Sequence, residues 1–129
     1  MAWRSSSAGA RVRADRARAE QRGRRAETLG AWWLRLHGWR IVAQRARVPG
    51  GEVDLVARRG RTLAFVEVKA RASEASAAMA LDRSRLRRVA VAAERLAPRY
   101  GHGCDTIRID ALYILPRRFP RHVPDVWSG

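Results

Sequence analysis

Three observations predict an α/β domain whose elements run α-β-β-β-α-β. Apolar residues recur at helical spacing in two separate stretches, and short alternating runs lie between and after them. Two of those runs flank Arg59-Gly60-Arg61 like the arms of a β-hairpin. At 129 residues the chain has room for one domain, burying on the order of two-thirds of its unfolded surface.

Residues 1–21 carry Arg11, Arg13, Arg16 and Arg18 with little apolar periodicity, which reads as a flexible basic arm or a helix extension. The domain proper is expected over 22–129. Its first helix runs from about Gly23 to His37, with Ala26, Leu29, Trp33 and Leu36 as the apolar stripe and Gly38 as a natural stop. At this spacing Trp32 and Trp33 suit core and collar better than base stacking. Glu27 flanks the stripe. Trp39 to Val48 follows as a strand with Trp39, Ile41 and Ala43 on one face, broken by Pro49-Gly50-Gly51.

Glu52 to Arg58 and Thr62 to Ala70 make the hairpin. A loop of small residues over 71–78 leads to a second helix, traced by Leu81, Leu86, Val89, Ala93 and Leu96 and ended by Pro98 and Gly101. Its polar face holds Arg83, Arg85, Arg87 and Arg88. Thr106 to Leu115 is the last strand, with Ile107, Ile109, Ala111 and Tyr113 on one side. Pro116, Pro120 and Pro124 then close the chain.

Of the 27 basic side chains, 26 are arginine, and the net charge is +15 with a pI near 11.8. Such a chain attracts polyanions with an affinity that falls as salt rises, and nucleic acid is the default partner. No stretch approaches the ~20 apolar residues of a membrane span, so a soluble protein without a membrane partner is expected. The single cysteine, Cys104, makes no internal disulfide, and a reducing cytoplasmic setting fits. Asp15 and Glu20 argue against an organelle presequence. His37, His102 and His122 are scattered surface or loop residues that form no zinc pattern with Cys104.

The sole lysine, Lys69, stands in Phe65-Val66-Glu67-Val68-Lys69. A compact ammonium of tunable pKa is something guanidinium cannot supply. Glu67 lies two residues before it, and Asp54 stands in Gly51-Glu52-Val53-Asp54-Leu55-Val56. For an arbitrary E-x-K the plainer alternative is a surface ion pair on a strand. Register decides whether the three meet. With Arg59-Gly60 as a two-residue loop, position 54 opposes 65, and Asp54 falls on the face of Glu67 and Lys69, diagonal to Glu67 at roughly 7 to 8 Å between Cα atoms. The other face, Ala64, Val66 and Val68, is apolar, which suits a central hairpin. Two carboxylates on neighbouring strands can hold Mg²⁺ and leave positions for water and phosphate, while a lysine orients the attacking water or neutralises charge on phosphorus.

These two strand motifs and the Ala70-Arg71 that follows resemble the YraN family of small bacterial proteins, which is placed in the PD-(D/E)xK, restriction-endonuclease-like superfamily. The likeness covers roughly residues 23 to 127 and includes Glu27, the arginine-rich helix and Arg108-Ile109-Asp110. It implies a restriction-endonuclease-like fold with a mixed central sheet flanked by helices. It also implies a nuclease that uses Mg²⁺ or Mn²⁺ to hydrolyse DNA, branched or structured forms included. Position by position, the resemblance makes Asp54, Glu67 and the Val68 carbonyl the metal ligands and Lys69 the catalytic lysine. Glu27 becomes the helix-borne acid that completes the cluster, as in archaeal-type Holliday junction resolvases. Ile109 replaces a usual aromatic, and Arg85 stands where lysine is common. Glu52 is expected to project beyond the site near the turn, and Asp110 to pair with arginine on the last strand. Competing expectations are a catalytically silent nucleic-acid-binding protein of the same fold, and a basic RNA- or ribosome-associated protein with accidental acids. A homodimer is left open.

Overall fold

The computed structural model describes residues 2–73 and 82–127. Helix α1 spans Ala2–Leu36, so the segment read as an arm or an extension continues the first helix. The helix closes at Gly38, whose φ of +87° lets its N–H reach the Arg35 carbonyl at 3.1 Å while the Trp39 N–H reaches that of Leu34 at 3.0 Å. This is a Schellman cap, and glycine takes the left-handed position without strain.

The face of α1 that packs is only partly the one its apolar spacing predicts. Ala26, Ala31 and Leu34 are buried, whereas Leu29 and Leu36 stand exposed and Trp33 is half-buried. Gly30 explains the rotation: a Cβ there would lie 2.9 Å from Leu112 Cδ2 and 3.5 Å from Val68 Cγ2. The helix sets its smallest residues against the sheet, and close packing outweighs the hydrophobicity of the larger side chains.

Strands β1 (Arg40–Val48), β2 (Gly51–Arg59) and β3 (Thr62–Ala70) precede helix α2 (Arg83–Tyr100), and β4 (Thr106–Ile114) and β5 (Arg121–Val123) follow it. The sheet order is β1-β2-β3-β4-β5, with only β3 and β4 parallel, so the hairpin of β2 and β3 is central. The β1–β2 register shifts between Ile41 and Ala43. Ala43 consequently joins the opposite face from Trp39 and Ile41, rather than sharing theirs as simple alternation predicts.

The N-terminus of α2 is capped by the Asp82 carboxylate, which accepts from the Ser84 N–H at 2.9 Å. The helix runs through Pro98 instead of stopping there, because a missing N–H in the final turn removes one bond from a helix with two residues left. Leu81 and the greater part of the 71–78 loop lie outside the described residues.

Both faces of the sheet are covered. Val53, Val56, Leu63, Phe65 and Ile109 pack under Leu86 and Val89 of α2, while Leu55, Ala57, Ala64, Val66 and Leu112 pack under Ala31 and Leu34 of α1. Burying a side chain such as Phe65 stabilises by roughly 1.5–3 kcal/mol. Strand β5 is absent from the sequence-based expectation. It is three residues long between Pro120 and Pro124, positions that only an edge strand tolerates, and it pairs antiparallel with β4. Among the described residues no helix is long and apolar enough to cross a membrane.

Candidate active site

The hairpin turns at Gly60-Arg61, one position later than expected, with Arg59 opposite Thr62 and Leu55 opposite Val66. Cross-strand register therefore moves by two residues, an even step that keeps every side chain on its face. Asp54 shares the face of Glu67 and Lys69. The Asp54 Oδ2 accepts the Val68 N–H at 2.8 Å, which ties the carboxylate to β3.

A second approach brings in α2. Any Cβ on Gly51 would meet the Arg88 carbonyl oxygen at 2.5 Å and the Ala92 nitrogen at 2.7 Å, so the first residue of β2 lies directly against the helix backbone. That contact sets Arg85 among the acids. Its Nε donates to Glu67 Oε1 at 2.9 Å and its Nη1 to Glu52 Oε1 at 3.2 Å, while Nη2 lies 3.7 Å from Asp54 Oδ1. Glu52 thus belongs to the cluster instead of projecting past it, and Arg88 Nε stands 3.5 Å from the same Glu52 oxygen.

Glu67 is buried at the centre. Beyond Arg85, its Oε1 faces Lys69 Nζ at 3.3 Å, and its Oε2 has no hydrogen-bond partner among the described residues. Burial, and then the neighbouring Glu67 charge, push Asp54 up to about 6, against the opposing pull of the Val68 N–H and Arg85. Glu27 of α1 opens onto the same groove, of about 650 Å³, but its Oε2 is held by Arg45 through Nε at 2.9 Å and Nη2 at 2.6 Å. Arg45 takes a φ of +50° within β1, a conformation non-glycine residues rarely adopt.

The donor set suits a hard divalent cation held by few protein ligands. Among the described residues Glu67 Oε2 is a buried oxygen lacking a hydrogen-bond partner, and Asp54 Oδ1 lies 3.7 Å from Arg85 Nη2. Among the described residues no three His, Cys, Asp or Glu side chains converge as a closed metal cage. An open site completed by water, phosphate and backbone oxygen is the arrangement Mg²⁺ tolerates best. Val68 shows its amide, engaged with Asp54, as its visible contribution.

Sequence reasoning missed Arg45 and the part played by Arg85 and Glu52. Arg85 and Arg88, at i and i+3, share one helix edge, but nothing in their spacing places that edge beside Gly51. Asp110 stays apart from this groove. It is fully buried, pairs with Arg108 as expected, and also accepts from the Asp125 N–H at 3.0 Å and contacts His122 Nε2 at 2.7 Å. His122 is therefore a half-buried partner on β5, not a loose surface residue.

Residues 26–114 match the uncharacterised protein family UPF0102. A UPF0102 protein of Sphingopyxis alaskensis is 66% identical over 113 residues, covering 88% of this chain and 97% of the relative. The chain belongs to the UPF0102 family. A second UPF0102 protein, from Rhizorhabdus wittichii, is 60% identical over 88% of the chain and 97% of its own length. The YraN resemblance drawn from the hairpin motifs is thereby borne out. In three dimensions this UPF0102 chain is similar to Hjc, a Holliday junction resolvase from Archaeoglobus fulgidus. The TM-score is 0.53 and the identity 22%, over 78% of this chain and 73% of the other. The fold is restriction-endonuclease-like.

Proposed function

We propose that this UPF0102 protein is a Mg²⁺-dependent nuclease that hydrolyses phosphodiester bonds of DNA, branched or structured DNA included, in the cytoplasm. The observation that carries this reading is Glu67, a buried carboxylate with one oxygen shared by Arg85 and Lys69 and the other without a hydrogen-bond partner among the described residues, beside Asp54. Asp54, Glu67 and the Val68 carbonyl would hold the cation. When bound, such an ion, Mg²⁺ or Mn²⁺, polarises the scissile phosphate and lowers the pKa of a coordinated water. Lys69, positioned by Glu67 Oε1, orients the attacking water and offsets charge gathering on phosphorus. The water oxygen bonds to phosphorus, the bond to the leaving oxygen breaks, and one water proton ends on that oxygen. Glu27 completes the acidic cluster once Arg45 releases it.

The test is cleavage of linear, single-stranded, flapped and four-way-junction DNA with and without Mg²⁺, using wild type, Asp54→Asn, Glu67→Gln and Lys69→Ala. Metal-dependent cutting lost in all three variants is expected. If every substrate stays intact, and the variants bind metal and DNA as wild type does, the hydrolase reading fails.

One observation favours a second reading, a nucleic-acid-binding protein without hydrolysis: Arg85 already fills the space between the acids with a tethered cation. In that case Lys69→Arg is harmless, and salt sensitivity is the only strong phenotype.

A further inference from the structure

Helix α1 turns an apolar stripe to solvent. Leu29, Trp32 and Leu36, at i, i+3 and i+7, are 55%, 59% and 77% exposed, and Phe119 beside them is 81% exposed. Together they line a groove of about 860 Å³. Its described lining also holds four arginines, Arg25, Arg71, Arg117 and Arg118, and no acid. Phe119 stacks on Trp33 with centroids 5.6 Å apart and planes at 28°, and the Arg35 guanidinium lies 5.5 Å from the Trp32 ring centre. Ala26, Ala70 and Arg71 border both this groove and the acid-lined one, so the two adjoin at the end of β3.

We propose that this groove docks unpaired nucleotides of a nucleic-acid strand, with bases stacked on Trp32 and Phe119 and phosphates on the arginine rim. Charge selects the class of occupant. A second copy of the chain would bring the same arginines against these, on a molecule already at +15. An acidic peptide meets the charge but gives no reason for flat aromatic faces, whereas every base presents a π-face and every nucleotide a phosphate. A groove of this size is in the range that encloses small planar ligands. Its continuity with the carboxylate groove supplies the rest: a strand leaving the acids across Arg71 enters the aromatic surface directly. The inference rests on the nucleic-acid reading of that neighbouring site and deepens it, since a protein built this way favours substrates in which unpaired strand meets duplex.

Fluorescence anisotropy in EDTA tests the groove without involving the cation site. A labelled single-stranded DNA, the matching RNA and a blunt DNA duplex are titrated with wild type, Trp32→Ala, Phe119→Ala, the double variant and Arg117→Ala. Each aromatic change is expected to weaken single-strand binding about 10-fold without altering its salt slope, whereas Arg117→Ala lowers the slope by about one. Both aromatic side chains are exposed, so the variants should keep the wild-type melting temperature and the same Mn²⁺-induced shift, which confirms that they are folded. Single-strand affinity within about twofold of wild type in the double variant overturns the proposal. So does a wild-type dimer that the double variant dissolves, or an acidic peptide that competes for the groove while oligonucleotides do not. If no DNA is cut yet the aromatic variants lose single-strand binding, the hydrolase reading falls and this one stands. If cleavage persists while single-strand binding is unchanged in those variants, the hydrolase reading stands and the docking groove falls.

Discussion

At the scale of single residues, Arg85 holds three carboxylates together. Glu52, Asp54 and Glu67 repel one another across a poorly solvated pocket, and one guanidinium offsets that repulsion without leaving the chain. Removing it exposes the repulsion. Arg85→Ala should destabilise the metal-free protein by on the order of 1–3 kcal/mol, a value reduced for screening because the side chain is about one-third exposed. The same variant should show a larger rise in melting temperature with Mn²⁺ than wild type does; an equal or smaller rise would mean that Arg85 does not occupy the cation's place. Asp54 adds a pH signature. Its carboxyl titrates at about 6 in the folded chain against 3.8 when free, so the folded state binds more protons between those values, and stability falls as pH rises through that window. Melting curves of Asp54→Asn should lack this slope. Asp54, Glu67 and Lys69 were legible as a group because alternation along two strands puts them on one face whichever even register the turn selects. Glu52 and Arg85 were not, since their meeting depends on where a helix crosses a strand.

At the scale of elements, two glycines lie where the helices approach the sheet, and they differ in what they meet there. Gly51 lies against the backbone of α2, and a methyl group there has nowhere to go. Gly51→Ala should cost about 1–3 kcal/mol and pull Arg85 away from the acids, lowering the melting temperature and weakening metal binding together. Gly30→Ala meets the end of a leucine side chain, which can yield, and gains helix propensity of about 1 kcal/mol, so its melting point should move far less. A Gly51→Ala protein that melts with wild type would show that α2 is not seated directly on β2. The order α-β-β-β-α-β and the hairpin were visible because period, turn residues and strand length are local properties. The packed face of α1 was misjudged for a physical reason: Leu29 and Leu36 are more hydrophobic than Gly30 and Ala31, but only the small pair lets the helix reach the sheet. The bulge between Ile41 and Ala43 left no mark that alternation could reveal.

At the scale of the whole molecule, net charge and the closing of the sheet by its last residues matter most. Log Kd for DNA should rise linearly with log salt, with a slope that counts the phosphates engaged; an affinity insensitive to salt would exclude the basic surface as the binding face. Asp110 anchors the C-terminal strand. Burial alone would raise its pKa, but His122, the Asp125 N–H and Arg108 together hold it below the usual carboxylate value. Its contribution to stability is therefore complete above about pH 4 and disappears as pH falls through the lowered value, with the opposite sign to Asp54. Asp110→Ala should cost about 3–5 kcal/mol and free β5, seen as fast amide exchange over Arg121–Val123; protected amides there would contradict that role. By itself the sequence determined the class of fold, the central hairpin, the shared face of Asp54, Glu67 and Lys69, and the attraction to polyanions. All of these follow from composition and from spacing over a few residues. Only the tertiary structure decided that Arg85 sits among the acids, that Glu27 is held by Arg45, and that Leu29 and Leu36, two members of the α1 stripe read as core, lie open to solvent. Each of those depends on how closely two distant backbones can approach, and no local pattern of side chains records that distance.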